Sequence, residues 1–308
     1  MRAIADPAPA PRSWRRRLAL FDIPTVIVAD HPALLETACA AYADWAVDDS
    51  TDVPAIEISL QLTQAPAGGA GDGIGVAGSR LTLAGPGIHG GADARTGQGR
   101  CTVPARLLDD AAALAAEVLD PILLFLLARM GRPPLHAAGI MLGDTALLLA
   151  GPSGSGKSTL ALAAAAQGLS VLSDDTIHLQ FDPPPRVWGF SRPVHVFADE
   201  APRGDHAIRM RAGKRKAAIA LPAAVTGRRQ ANRAILVVLD RGDRLALEPI
   251  PAEAALGALM RLDSGFDLLR DQSAAMIRAL AAAGAWRLTL TTDADAAIAL
   301  LRGSPWDD

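Results

Sequence analysis

The chain has 308 residues, half of them hydrophobic and 20% charged, which is enough apolar material for a sizeable core and too little charge for a disordered chain. A net charge of −3 and a pI near 6.1 supply no global attraction to nucleic acid or to an anionic membrane surface, so neither is an expected partner. Cys39 and Cys101 are isolated, with no CxxC pair, so no disulfide framework or zinc site is expected and a reducing, cytoplasmic setting fits.

The first segment, "MRAIADPAPAPRSWRRRLALFDIP", has an arginine cluster but only a short apolar run before Asp22, too short for a signal-peptide core. "LALFDIPTVIVAD" (18–30) predicts a strand or two, and "HPALLETACAAYADW" a helix. "VPAIEISLQL" alternates apolar and polar residues like a half-buried strand. The glycine-dense stretch that follows has apolar runs at 74–77 and 81–84 and reads as hairpins in a small antiparallel sheet. Its "GDGIG" follows no convincing strand and opens no helix, so it reads as a loop and not as a dinucleotide fingerprint. From Pro104 to Met130 the pattern is helical, with a kink or break expected before Pro121. The longest strongly apolar segment here, "PILLFLLARM", is far shorter than a bilayer span. "GRPP" then punctuates the chain, and a domain boundary is expected near residue 131, with a smaller α+β domain over 1–130 and an α/β domain over 131–308.

In the second half, apolar runs at 138–142 and 145–150 flank Gly143-Asp144, a hairpin signal. The strand that enters the glycine loop after residue 150 is therefore the return strand of a hairpin. Further strands are expected in "TIHLQF", "PRVWGFSRPVHVFA", "RAILVVLD" and "WRLTLTT", and helices in "PAEAALGALMRL", "LLRDQSAAMIRALAAAG" and "DADAAIALLRG".

Gly151, Pro152, Ser153, Gly154, Ser155, Gly156, Lys157 and Ser158 match GxxxxGK[ST] without a mismatch, and Thr159 continues into a good helix ended by Gly168. Glycines let successive N–H groups wrap around phosphate oxygens, reinforced by the positive end of the helix. Lys157 would reach the β- and γ-phosphates as a compact charge, and Ser158 would offer its hydroxyl to Mg²⁺. Of the 30 lysines and arginines only Lys157, Lys214 and Lys216 are lysine, which adds weight to one of them falling in the loop. Nucleotide phosphate binding is the reading this segment supports.

A second strand, "LSVLS", delivers Asp174 and Asp175 one strand–helix–strand step beyond the loop. A carboxylate there can hold Mg²⁺, and its neighbour can accept a proton from an incoming hydroxyl. Read without that context, "DDT" is a solvated turn or a helix cap.

The stretch "LHAAGIML…ALLLAGPSGSGKSTLALAAAAQGLSVLSDDTIHL", with "FSRPVHV" beyond it, resembles the catalytic domain of HPr kinase/phosphorylase, and more closely the HPr-kinase-related proteins of peptide-natural-product clusters, including lasso-peptide kinases. The resemblance covers about residues 135–240. It implies an α/β fold of the PEP-carboxykinase/HPr-kinase-like P-loop class, with a mixed sheet. It also implies a Mg²⁺–ATP-dependent serine kinase acting on a small protein or peptide, in the manner of a lasso-type precursor, and a homo-oligomer. By that comparison Asp175 is the general base and Asp174 lies near the metal; His136 and Arg192 match family positions near the phosphates, Arg192 as an arginine finger. Read from the residues alone, His136 also fits a strand-start histidine bonded to backbone, and Arg192 a surface arginine beside a proline turn.

The chain departs from the bifunctional enzymes downstream of the acid pair. In place of their glycine-rich segment it has "APRGDHAIRMRAGKRKAAIALP", which reads as a basic loop, either solvated or mobile and closing over ATP or an acidic peptide. HPr as acceptor and the reverse reaction are accordingly not expected. The alternatives to a peptide kinase are a kinase of a small-molecule hydroxyl and a nucleotide-binding regulator without transfer.

Overall fold

The computed structural model describes residues 13–47, 52–63, 73–190, 192–211, 214–260 and 270–306. The first twelve residues, the glycine-rich 64–72, Ser191 of the "FSRPVHV" motif and 261–269, which holds the end of one expected helix and the start of the next, lie outside the described residues. Contacts divide the chain into two units, Met1–Met130 and Gly131–Asp308.

In the first unit β1 (Trp14–Leu20) and β2 (Ile23–Ala29) form a hairpin. Its two turn residues, Phe21 (φ 53°) and Asp22 (φ 62°), both adopt positive φ, as a type I′ turn requires. Phe21 meets Trp45 edge to face at 5.1 Å. After α1 (Pro32–Ala40), β3 (Ile56–Thr63) alternates buried and part-exposed residues as its sequence pattern requires. Next come β4 (Gly73–Ala77), β5 (Arg80–Gly85), β6 (Ile88–Asp93) and β7 (Gln98–Pro104). The sheet order is β1-β2-β3-β7-β6-β5-β4. The glycine-rich hairpins are antiparallel as expected, but β3 pairs parallel with both β2 and β7, so the sheet is mixed. "GDGIG" opens no helix; Gly73–Gly75 lie in the exposed strand β4.

The helical segment after β7 has α2 (Ala111–Leu114), capped by the Asp110 carboxylate on the Ala113 N–H, then a π-turn over Ala115–Leu119, then α3 (Asp120–Arg129). The irregularity expected before Pro121 is that π-turn: proline lacks the N–H that the ladder needs, and the wider turn accommodates it. Residues 111–120 extend the helix upstream of the apolar run read from sequence. By length and composition Ala111–Arg129 is therefore long and apolar enough to cross a membrane, a correction to that reading. Within its unit most of the helix is buried, and Ile122 packs so closely on β7 that a Cβ at Gly99 would lie 2.8 Å from its Cγ2.

In the second unit β8 (Pro134–Leu135) leads into β9 (Ala137–Leu142) and β10 (Thr145–Ala150), which are antiparallel partners. Gly143 (φ 57°) supplies the single positive φ of a II′-like turn. Then follow α4 (Lys157–Ala166), β11 (Val171–Ser173), β12 (Ile177–Gln180), β13 (Arg186–Gly189) and β14 (Val194–Phe197). The basic segment expected as a loop is instead an antiparallel hairpin, β15 (Ala207–Arg211) and β16 (Lys214–Ile219), with β16 also paired to β14. Its second strand is charged only at the tip and turns apolar and buried at Ala217 and Ile219, which anchors it. The chain continues through α5 (Ala223–Thr226), β17 (Gln230–Ala231), β18 (Arg233–Arg241), β19 (Ala246–Pro249), α6 (Ala252–Leu259), α7 (Arg270–Ala282), β20 (Ala285–Leu290) and α8 (Ala294–Arg302).

The central sheet has the order β11-β9-β10-β18-β20-β19. Along β10, Leu147 and Leu149 pack on the side of α4 and α8, while Ala146, Leu148 and Ala150 pack on the side of α6 and α7. With both faces covered, every residue of β10 is buried, which is why "TALLLA" is continuously apolar. Both β11 and β10 are antiparallel to β9 and hence parallel to each other, so their carboxyl ends share one edge.

Candidate functional site

That shared edge brings the glycine loop after β10 and the acid pair after β11 together, at the position where parallel strands deliver ligand-binding residues. The loop is tight. Ser155 N–H donates to Pro152 O at 3.0 Å, and Gly154 (φ 86°) and Gly156 (φ 108°) occupy left-handed backbone that other residues avoid. A Cβ at Gly151 would lie 2.7 Å from Ser155 Oγ and 3.1 Å from Leu239 Cβ. Ser155 Oγ is buried with no hydrogen-bond partner among the described residues, a polar atom inside the loop that an entering anion would satisfy.

Lys157 opens α4 and is buried, with Nζ donating to Gly151 O at 2.6 Å and Pro152 O at 3.1 Å. Burial is the main reason its pKa drops to about 8; Lys216 lowers it further, and Asp175 and Asp174 oppose the drop. Its charge is thus poorly compensated until an anion arrives.

The two aspartates have different surroundings. Asp174 is buried, and its carboxylate accepts the His195 backbone N–H at 2.8 Å. The Asp175 side chain is half exposed and faces an open cleft together with Gly156, Lys157 and Ser158. His136 lines the same cleft; its Nδ1–H donates to Asp175 O at 3.0 Å and lies 3.4 Å from Asp175 Oδ1. Burial depresses the His136 pKa, Lys157 and Lys216 push the same way, and Asp175 opposes them. Arg192, by contrast, places its guanidinium 5.1 Å over the Phe190 ring and does not line the cleft.

Among the described residues no three His, Cys, Asp or Glu side chains gather as a metal-binding group. Mg²⁺ does not require one, because it keeps several waters and takes one or two carboxylates plus substrate phosphates. Ser158, on the same cleft as Lys157, fits as one donor, whereas Asp174, expected near the metal, is buried against the His195 N–H and does not line that cleft.

No protein-family model and no curated protein matches this sequence. Among solved structures, the HPr(Ser) kinase/phosphatase of Coxiella burnetii is similar, with a TM-score of 0.31 and 13% identity over 55% of this chain and 93% of that one.

Cleft residues beyond the motifs read from sequence come from several elements. Glu200 and Phe197 come from β14 and the turn after it, Lys216 from the basic hairpin, and Arg241 from the end of β18. Arg241 reaches the loop closely: its Nη2 lies 3.2 Å from where a Gly156 Cβ would be, while Nη1 donates to Thr291 O at 3.1 Å. The available signal was its place at the carboxyl end of "RAILVVLD", since β18 runs parallel to β10 beside the loop. His195 also lines the cleft.

Proposed function

We propose that this chain is a Mg²⁺–ATP-dependent kinase that transfers the γ-phosphoryl of ATP to a seryl hydroxyl of a small protein or peptide. The observation that carries the reading is the half-exposed Asp175 carboxylate on the same cleft as Lys157 and the amino end of α4. A site that only holds phosphate has no use for a second, open carboxylate beside the anion; a site that removes a proton from an acceptor does.

In-line transfer asks a protein mainly for positioning and charge neutralisation. The loop N–H groups and the α4 dipole would hold the phosphates, with Lys157 drawn from its two loop carbonyls onto the β- and γ-oxygens. Ser158 would help hold the Mg²⁺ that accompanies the nucleotide. The acceptor oxygen attacks the γ-phosphorus, its proton passes to Asp175, and the bond to the β-phosphate oxygen breaks with its electrons leaving on ADP. His136, neutral and bonded to the Asp175 carbonyl, would orient that residue. The first unit would recognise the acceptor or mediate self-assembly.

The test is transfer from radiolabelled ATP to seryl peptides by the full chain, by Lys157→Ala and by Asp175→Asn. Asp175→Asn should bind ATP normally and lose about 10²–10⁴-fold in turnover. Retained turnover in that variant overturns the reading, and binding without transfer to any hydroxyl acceptor identifies a nucleotide-dependent regulator instead.

A further inference from the structure

This inference rests on the kinase reading above and adds a residue to it. Two of the three lysines in the chain, Lys214 and Lys216, lie on β16. Lys216 pairs across the ladder with Phe197 of β14, and the two lysine Nζ atoms lie 5.3 Å (Lys214) and 5.6 Å (Lys216) from the Phe197 ring centre. Lys216, and not Lys214, lines the phosphate cleft, where Asp175, His136 and Lys157 also lie. Its charge is felt at both His136 and Lys157, where it disfavours the protonated form. The strand that positions it is fixed to the acid pair, because Asp174 accepts the N–H of His195 at the second rung of the β14–β16 ladder.

We propose that Lys216 is a second phosphoryl-facing cation, which exchanges the face of Phe197 for the terminal phosphate of ATP on the Asp175 side of the cleft while Lys157 holds the phosphates from the loop. A cation over a partly exposed ring is held weakly, whereas an ammonium–phosphate hydrogen bond is charge-assisted and short, so the exchange favours the nucleotide. The contact is specific to the terminal phosphate, since Lys216 arrives from the acid-pair side and not from the loop. It makes and breaks no covalent bond.

The experiment is calorimetric titration of the full chain with MgATP and with MgADP, in the native protein, Lys216→Met, Lys216→Arg and Lys157→Ala. Methionine keeps an apolar stem on Phe197 and removes only the charge. Lys216→Met should weaken MgATP binding about tenfold while MgADP stays within about twofold, and arginine should recover most of the loss. Equal losses for both nucleotides, or none, overturn the proposal. If Lys157→Ala loses both nucleotides while Lys216→Met matches the native protein, only the role of Lys216 falls. A native chain that binds neither nucleotide overturns the kinase reading itself. Should the methionine variant not fold, Lys216→Gln is titrated with the same two outcomes.

Discussion

The Asp174 carboxylate accepts the His195 backbone N–H at 2.8 Å, tying the end of β11 to the small sheet that carries Phe197 and Lys216. The chain bends at these two residues just after β11, where Ser173 Oγ accepts the N–H groups of Asp175 and Thr176. Asp174 is buried as a tether, and the next residue, Asp175, opens onto the cleft.

Asp174 and Asp175 should respond differently to substitution. Asp174→Ala leaves the His195 N–H without its acceptor and should cost about 1–3 kcal/mol of stability. Asp175→Asn should leave the thermal midpoint nearly unchanged, because that side chain is half exposed. Thermal unfolding of both variants, followed by circular dichroism, checks the contrast; equal losses would contradict it.

Lys157 should link nucleotide binding to protons. Lysine titrates at 10.5 in the unfolded chain and at about 8 here, so between those values the unfolded chain holds a proton that the folded one has released. Stability of the nucleotide-free protein should therefore rise with pH across that window. Phosphate binding raises the Lys157 pKa again, so MgATP should be bound with proton uptake above about pH 8. Calorimetry in buffers of different ionisation enthalpy measures that uptake, and Lys157→Met should abolish it.

His136 acts on the acid side. Its folded pKa is below 6.5, so under that pH the unfolded chain binds more protons, and the stability His136 contributes is complete above 6.5 and is lost as pH falls. His136→Gln should flatten this part of the stability profile. Asp175→Asn removes the carboxylate that favours the charged ring, and should lower the His136 pKa further in an NMR titration of its Cε1–H.

The loop glycines should rank by their surroundings. Gly156→Ala combines φ 108° with a Cβ 3.2 Å from Arg241 Nη2 and 3.3 Å from Leu290 Cδ1, whereas Gly154→Ala, at φ 86°, meets open space. Gly154→Ala should cost about 1–2 kcal/mol of backbone strain, and Gly156→Ala more, with loss of nucleotide binding. Denaturant unfolding and MgADP titration of the two variants establish the order.

Much of the route to the cleft is legible in local pattern. Gly143-Asp144 between apolar runs is a hairpin because only glycine enters the required φ cheaply, and Gly168 (φ 79°) ends α4 for the same reason. The alternation in β3 marks a strand with one buried face. The hairpin β15–β16 was not legible, because the charged tip of "KRKAAI" resembles a solvated loop until β14 supplies its ladder partner. Strand β19 is short and lies at the sheet edge, where periodicity carries little signal.

The sequence by itself determined the local chemistry: a glycine loop with Lys157 and Ser158 at a helix start, and two adjacent carboxylates ending the next strand. Each depends on residues a few positions apart, whose φ/ψ preferences and side-chain types are set locally. Only the tertiary structure decided that β11 lies across β9 from β10, that Asp174 turns inward and Asp175 outward, and that Lys216 and Arg241 reach the same cleft. Those facts depend on which strands pair across long stretches of chain, and pairing is chosen by burial of both sheet faces together, which no single segment encodes.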